Sequence, residues 1–338
     1  MSELPPKERV NMPNLNTVVP GLNAGFKILP SEIANYGIMT TGTVFWVDAD
    51  NGSDTDDGLS ANTAFKTIAK AYSMVTTNNN DVIMLSANAA HVQTSMLDIT
   101  KNRVHFVGAS LRGGSYGLGA RSRITMGDST VSADIALMKN TGVGNTFTGI
   151  KFDSSSTVAA SLYCVAEGGE YAIYDGCEFY KSTDLNETAA AEVLNNGDSA
   201  QWLNCVFGST ANETVGAVIR ANMLLTATIA GSKCRDNIVD NCIFMCKAGN
   251  TAKVMVYGAN ATDVERLFYM KNCLFFNSIL AAADPAHAVG FGAAQTEGQV
   301  ILKDCTSVLC TVMKQASRAI YVDGAVPTQN TSGVAVTG

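Results

Sequence analysis

Two aspartates, Asp175 and Asp240, hold the same place in a motif that returns along the chain, each two positions ahead of a cysteine. Paired carboxylates on one face of a scaffold are what acid and base cleavage of a glycosidic bond requires, at separations of about 5 to 9.5 Å. One further copy of the motif lies between them, so stacking at strand spacing would set them roughly 10 Å apart, at the outer limit for an inverting pair. The matching positions elsewhere are Leu203, Lys271 and Lys303, so no third carboxylate joins the pair. Glu178 faces the other way from its neighbouring cysteine, with Lys151, Val206 and Ile243 above and below it. An isolated acid on a repeating flank is ordinarily a solvated one. The chain therefore reads as a non-enzyme, with Asp175 and Asp240 as the residues that would act in a hydrolase or lyase.

Other constellations carry less. The run Asp48, Asp50, Asp54, Asp56, Asp57 invites a calcium loop, yet an EF-type loop begun at Asp54 needs Glu at its twelfth position, where Phe65 stands. An Asp-rich turn satisfying its own backbone explains the run better. His91, His105 and His287 fall in three distant segments and make no metal cluster. Cys242 and Cys246 have C-x3-C spacing, but Cys242 belongs to a column expected to be buried, which argues against zinc. The glycine-rich Gly113–Gly119 has no helix after it and reads as a loop rather than a phosphate cradle. No cofactor and no metal is expected.

The repeat itself defines the scaffold. Asn237-Ile238-Val239-Asp240-Asn241-Cys242-Ile243-Phe244 returns around Cys177, Cys205 and Cys273, in a worn form around Cys305, and without the thiol around Ile150. Intervals of 27 to 37 residues with a constant core mean one structural unit with loops of varying length. Apolar residues two apart, Cys then Phe, follow strand rather than helix periodicity. Asn, Asp or Gly precedes each cysteine, as suits a bend through the left-handed backbone region. These features predict an all-β fold, a single-stranded right-handed parallel β-helix with one coil per copy. Cys177, Cys205, Cys242, Cys273 and Cys305 would stack in one column, and Phe179, Phe207, Phe244 and Phe275 in a second. Asn204, Asn241 and Asn272 would form an amide ladder at the bend.

Composition agrees with a β-rich, subunit-contacting protein: 46% hydrophobic and 16% charged residues, with 30 glycines among 338 residues. A net charge of −7 with no basic patch argues against a nucleic-acid partner. No apolar run is long enough to span a membrane, and residues 1 to 20 carry no signal-type stretch. The nine cysteines are read as buried free thiols of a protein made in a reducing compartment, since parallel Cβ vectors on successive coils suit a disulfide badly.

Residues 1–44 hold five of the seven prolines, Pro5, Pro6, Pro13, Pro20 and Pro30, and read as an extended arm lying on its own solenoid or on a neighbour. Then come Phe45-Trp46-Val47-Asp48, the Asn51-Gly52-Ser53-Asp54 turn, Asp57-Gly58-Leu59-Ser60 and Phe65-Lys66-Thr67-Ile68 before a short helix. This order resembles the N-terminal entry of the pectate-lyase-like β-helix superfamily, with Asp81–Leu85 and Val104–Ala109 as its first coils. The resemblance implies a cap over residues 45–80, a β-helix over 45–320, and a C-terminal tail over 321–338. Lyases of that superfamily use calcium-binding carboxylates with a basic residue, whereas Arg220, Arg235, Arg266 and Arg318 are scattered singly. The arm, with Asn14–Gly21 and Tyr36–Gly42, followed by the cap, is also similar to β-helical virion proteins of tailed bacteriophages. That likeness implies a capsid decoration or spike subunit located in the virion and made in the host cytoplasm. It would be a homotrimer, bound to a capsid or tail protein through residues 1–44. A tail-associated spike that binds or cleaves host surface glycan is the alternative.

Overall fold

A computed structural model of the protein describes residues 40–323, apart from 88, 110–121, 130, 132, 157–160, 182–189, 215–218, 227–228, 230–232, 249, 279–283 and 316–319. The expected arm before residue 40, the glycine-rich loop and the tail after 323 lie outside the described residues. The chain winds as a right-handed parallel β-helix of three sheets. Sheet A has ten strands, from Val44–Val47 to Ile320–Asp323. Sheet B has eight, from Ala90–Gln93 to Thr306–Val308, and sheet C eight, from Leu97–Ile99 to Val312–Lys314. Within a middle coil the order is A, B, C, as in Ile173–Asp175, Glu178–Lys181 and Ala191–Asn195. Each strand then pairs in parallel with its equivalents on the coils before and after. The last strand of sheet A runs past position 320, Leu302 pairing with Val322.

The step from sheet A to sheet B is one sharp corner, and its residue type follows from backbone geometry. Gly149, Gly176, Asn204, Asn241, Asn272 and Asp304 all have positive φ, between 50° and 65°. Only Gly, Asn and Asp adopt this conformation readily. Each corner N–H then reaches the next coil: Gly176 N donates to Leu203 O at 2.9 Å, Asn204 N to Asp240 O at 3.0 Å, and Asn241 N to Lys271 O at 3.0 Å.

Alternation along each strand sends every second side chain inward, and the coil step stacks like on like. Phe152, Phe179, Phe207, Phe244 and Phe275 form one continuous column with centroid separations of 5.4, 5.0, 4.6 and 5.1 Å. A second column, Phe106, Phe147, Tyr174 and Trp202, packs on sheet A at 5.2, 4.7 and 4.1 Å. Tyr174 meets Phe179 edge-on, which joins the two columns. The sequence reading names the first column and passes over the second, because its rings change type from coil to coil before Val239, Met270 and Leu302 continue it.

The open N-terminal end is closed by the helix Ile68–Met74, which buries Ile68 and Ala71. Asp54 holds the helix entry, accepting from Lys66 N, Thr67 N and Thr67 Oγ1 at 2.8 to 2.9 Å. Lys101 Nζ closes its exit, donating to Tyr72 O at 2.7 Å and Val75 O at 2.6 Å. Phe207 sits between two stacked rings and is fully buried. Phe207→Ala is expected to lose about 3 to 5 kcal/mol in chemical denaturation, and Phe207→Leu less than half of that.

Candidate functional site

The strand register stacks Asp175, Leu203, Asp240, Lys271 and Lys303 down the outer face of sheet A, beside the corner. Asp175 and Asp240 thus share a column, with Leu203 between them. Each carboxylate is tied to the amide ladder. Asn204 Nδ2 donates to Asp175 Oδ1 at 2.8 Å, and Asn241 Nδ2 donates to Asn204 Oδ1 at 2.8 Å. Asn272 Nδ2 donates to Asp240 Oδ1 at 3.1 Å, and Lys271 Nζ lies 2.9 Å from Asp240 Oδ2. The ladder is therefore two linked runs, each ending on an aspartate. Across the corner, Glu178 pairs with Lys151 at 2.8 Å.

The thiols lie inside this corner. Cys177, Cys205, Cys242 and Cys273 are buried and Cys305 is half-buried, and all nine cysteines are free. Each column thiol donates to a carbonyl of the preceding coil, as Cys205 Sγ does to Tyr174 O at 3.4 Å and Cys242 Sγ to Trp202 O at 3.3 Å. Burial pushes the Cys242 thiol up, and raises Cys246 to about 11 and Cys164 to about 12, so these thiols stay protonated. Among the described residues, no three His, Cys, Asp or Glu side chains converge. His91 faces the Ser86 carbonyl at 3.0 Å and His105 the Thr146 hydroxyl at 2.8 Å, on different sheets. Asp48 and Asp57 accept from nearby backbone N–H groups, as the turn reading requires. A hollow of about 260 Å³ beside the cap is lined by Trp46, Asp48, Ser86 and four alanines, among others, and brings together no acid and base pair.

The sequence reading misses two buried polar groups, because neither repeats with the coil. Glu167 is fully buried where sheet C turns toward sheet A. It accepts from Tyr174 Oη at 2.5 Å, Asn140 Nδ2 at 2.8 Å and Gly169 N at 2.6 Å. At the other end of sheet C, Lys181, Glu192, Arg220 and Lys253 are all buried together. The sequence signal was charge where neighbouring coils carry uncharged polar residues: Glu167 aligns with Asn140 and Asn195, and Lys181 with Ser154.

No protein-family model matches the chain, and no curated protein matches it. Solved structures do. A pectin methylesterase in complex with a hexasaccharide superposes with a TM-score of 0.54 at 12% identity, over 86% of this chain and 92% of that one. A rhamnogalacturonan lyase superposes with a TM-score of 0.56 at 12% identity, over 83% and 73%. The fold is a right-handed parallel β-helix, as in these solved structures. A Geobacillus virus E2 protein, ORF18, aligns at 12% identity over 76% of this chain and 58% of its own, with a TM-score of 0.38.

Within this β-helix, Glu167 offers a chemical handle on the coil interior. Desolvation raises its carboxyl to about 7, against three donors that act to lower it. A carboxyl raised on folding adds stability while the unfolded chain also keeps it protonated, and that contribution is lost as pH rises from the ordinary carboxylate range through 7. Glu167 is expected to lose on the order of 3 kcal/mol of its contribution to stability between pH 5 and pH 8, read from melting curves as a slope with pH. In Glu167→Gln the slope with pH should flatten, whatever the absolute offset.

Proposed function

We propose that the chain is a structural β-helical subunit of a tailed-phage virion, a capsid decoration or spike protein that assembles side by side with two further copies. Apolar stripes on the outside of the solenoid carry this reading. The register aligns Ile238, Tyr269, Ile301 and Tyr321 outward on sheet A. On sheet B it aligns Ile243 with Leu274, and Met245 with Phe276 and Val308. All are half-buried except Val308, which is exposed. The two stripes flank the exposed Asn241 and Asn272, so the later coils form a wedge with an apolar flat on each side of a polar edge. Apolar patches of this kind mark contact surfaces. Setting sheet A of one copy on sheet B of the next is a heterologous contact, which closes into a ring under threefold symmetry.

The same geometry weighs against polysaccharide cleavage. Asp175 and Asp240 are terminal acceptors of the ladder, with an aliphatic side chain between them, whereas acid and base catalysis of hydrolysis needs two carboxylates addressing one bond. The arm over residues 1–44 would bind the capsid or tail protein, and a host glycan remains the partner in the alternative, a depolymerase spike. Sedimentation of the purified protein is expected to give a trimer, and Tyr269→Lys with Phe276→Lys a folded monomer. Mass spectrometry of purified virions should find the chain as a particle component. A monomer absent from virions, or release of sugar ends from capsule that is lost in Asp175→Asn or Asp240→Asn, would replace this reading with the enzymatic one.

A further inference from the structure

Where sheet B hands over to sheet C, four charged side chains fold into the solenoid. Lys181, Glu192, Arg220 and Lys253 are between 1% and 5% exposed. Lys181 Nζ donates to Ser161 O at 2.7 Å, Lys253 Nζ to Arg220 O, and Arg220 Nη2 to Lys181 O at 3.1 Å. Carbonyl dipoles steady the cations and do not cancel their charge. Glu192 is the single carboxylate of the group, and Arg220 Nη2 comes only within 4.0 Å of it. Among the described residues three cations line the group with one acid, Asp128 acting on Lys181 from outside it, so these four side chains carry an excess of two positive charges with Glu192 ionised and three with it protonated.

An uncompensated buried ion costs several kcal/mol. Two arrangements relieve this: the lysines shed their protons, or an anion enters. Desolvation does push both lysines down, but Arg220 stays charged whatever its surroundings. The space between the four side chains favours the second arrangement. They line a slot with Ser209 and Asn222, and the half-buried Tyr180 and Lys247 also border it. Its volume is about 10 Å³, room for the centre of one water-sized particle. Space this small suits a monatomic anion better than a tetrahedral one. A water molecule fits and leaves the charge as it was.

We propose that the slot is a chloride site, one halide ion held between Arg220, Lys181 and Lys253. The ion would tie the end of Glu178–Lys181 in sheet B to the residues that lead into two successive strands of sheet C, Ala221–Leu224 and Val254–Gly258. Such a site needs no catalytic role and is independent of what the solenoid docks against.

The test uses the full-length protein. Thermal unfolding is compared in sodium chloride and in sodium gluconate at equal ionic strength, since gluconate is too large for the slot. A melting temperature that climbs by several degrees and saturates with chloride, but not with gluconate, is the expected result. Lys253→Met and Lys181→Met should abolish the dependence. Crystals grown in sodium bromide should show an anomalous peak in contact with Arg220 and Lys253. Equal melting in both salts, or bromide crystals with no peak there, would overturn the site and leave neutral lysines as the explanation. The bromide measurement on the unaltered chain decides the matter even if neither methionine variant folds.

Discussion

A single residue held in the left-handed backbone region between sheets A and B fixes the path of every middle coil. Such a bend turns the chain sharply without a loop, so the inward residue before it and the inward residue after it keep a constant offset from coil to coil. That constancy lets Tyr174 and Phe179, three and two residues from Cys177, each find an equivalent directly above and below. Loops elsewhere in the coil vary by up to ten residues with no effect on this register, because the corner resets it. The glycines and asparagines at the corner are thus the fixed points, and the aromatic columns are their consequence. Side chains add a second tie: amides at Asn204, Asn241 and Asn272 link one corner to the next on the outside while thiols fill the inside.

Legibility in the sequence follows directly from this periodicity. Whatever recurs at the corner could be read: the cysteines, the Phe column, the left-handed residues and the shared column of Asp175 and Asp240. Sheet C could not be read in the same way. Its strands, Tyr163–Glu167, Ala191–Asn195 and Ala221–Leu224, are buried at every position, so the alternation that reveals a half-exposed strand is missing. They also follow loops of unequal length, so no fixed offset from the cysteines points to them. Glu167 and the Lys181 group lie at the two ends of sheet C, where neither rule applies, and their chemistry became visible only when the coil was closed.

The interior of the solenoid is committed to packing. Each stacked ring removes its neighbour's apolar face from water, and a polar substitution at any column position would interrupt two contacts at once. Polar groups inside meet backbone donors or acceptors that the turns leave over. Glu167 takes the Gly169 N–H and the Tyr174 hydroxyl, and Asn237 Nδ2 serves the carbonyls of Gly197 and Arg235. These are turn-closing interactions of the step from sheet C to sheet A, the counterpart of the amide ladder at the opposite corner. One corner solves its geometry with a left-handed backbone and exterior amides, the other with buried side chains that replace missing backbone partners.

A stack built this way grows by adding coils, and its weak points are its ends. The first coil is closed by the helix Ile68–Met74 and pinned by Tyr72, whose ring lies on Phe106 and whose hydroxyl accepts from Thr100 N and Lys101 N. At the other end, Cys305, Cys310, Met313 and Val322 are only partly buried against the core, where their equivalents one coil earlier are closed over. Among the described residues the solenoid is therefore polar in the sense of direction: closed at its first coil, with half-covered apolar side chains at its last. The apolar stripes of sheets A and B run along the axis toward that same end.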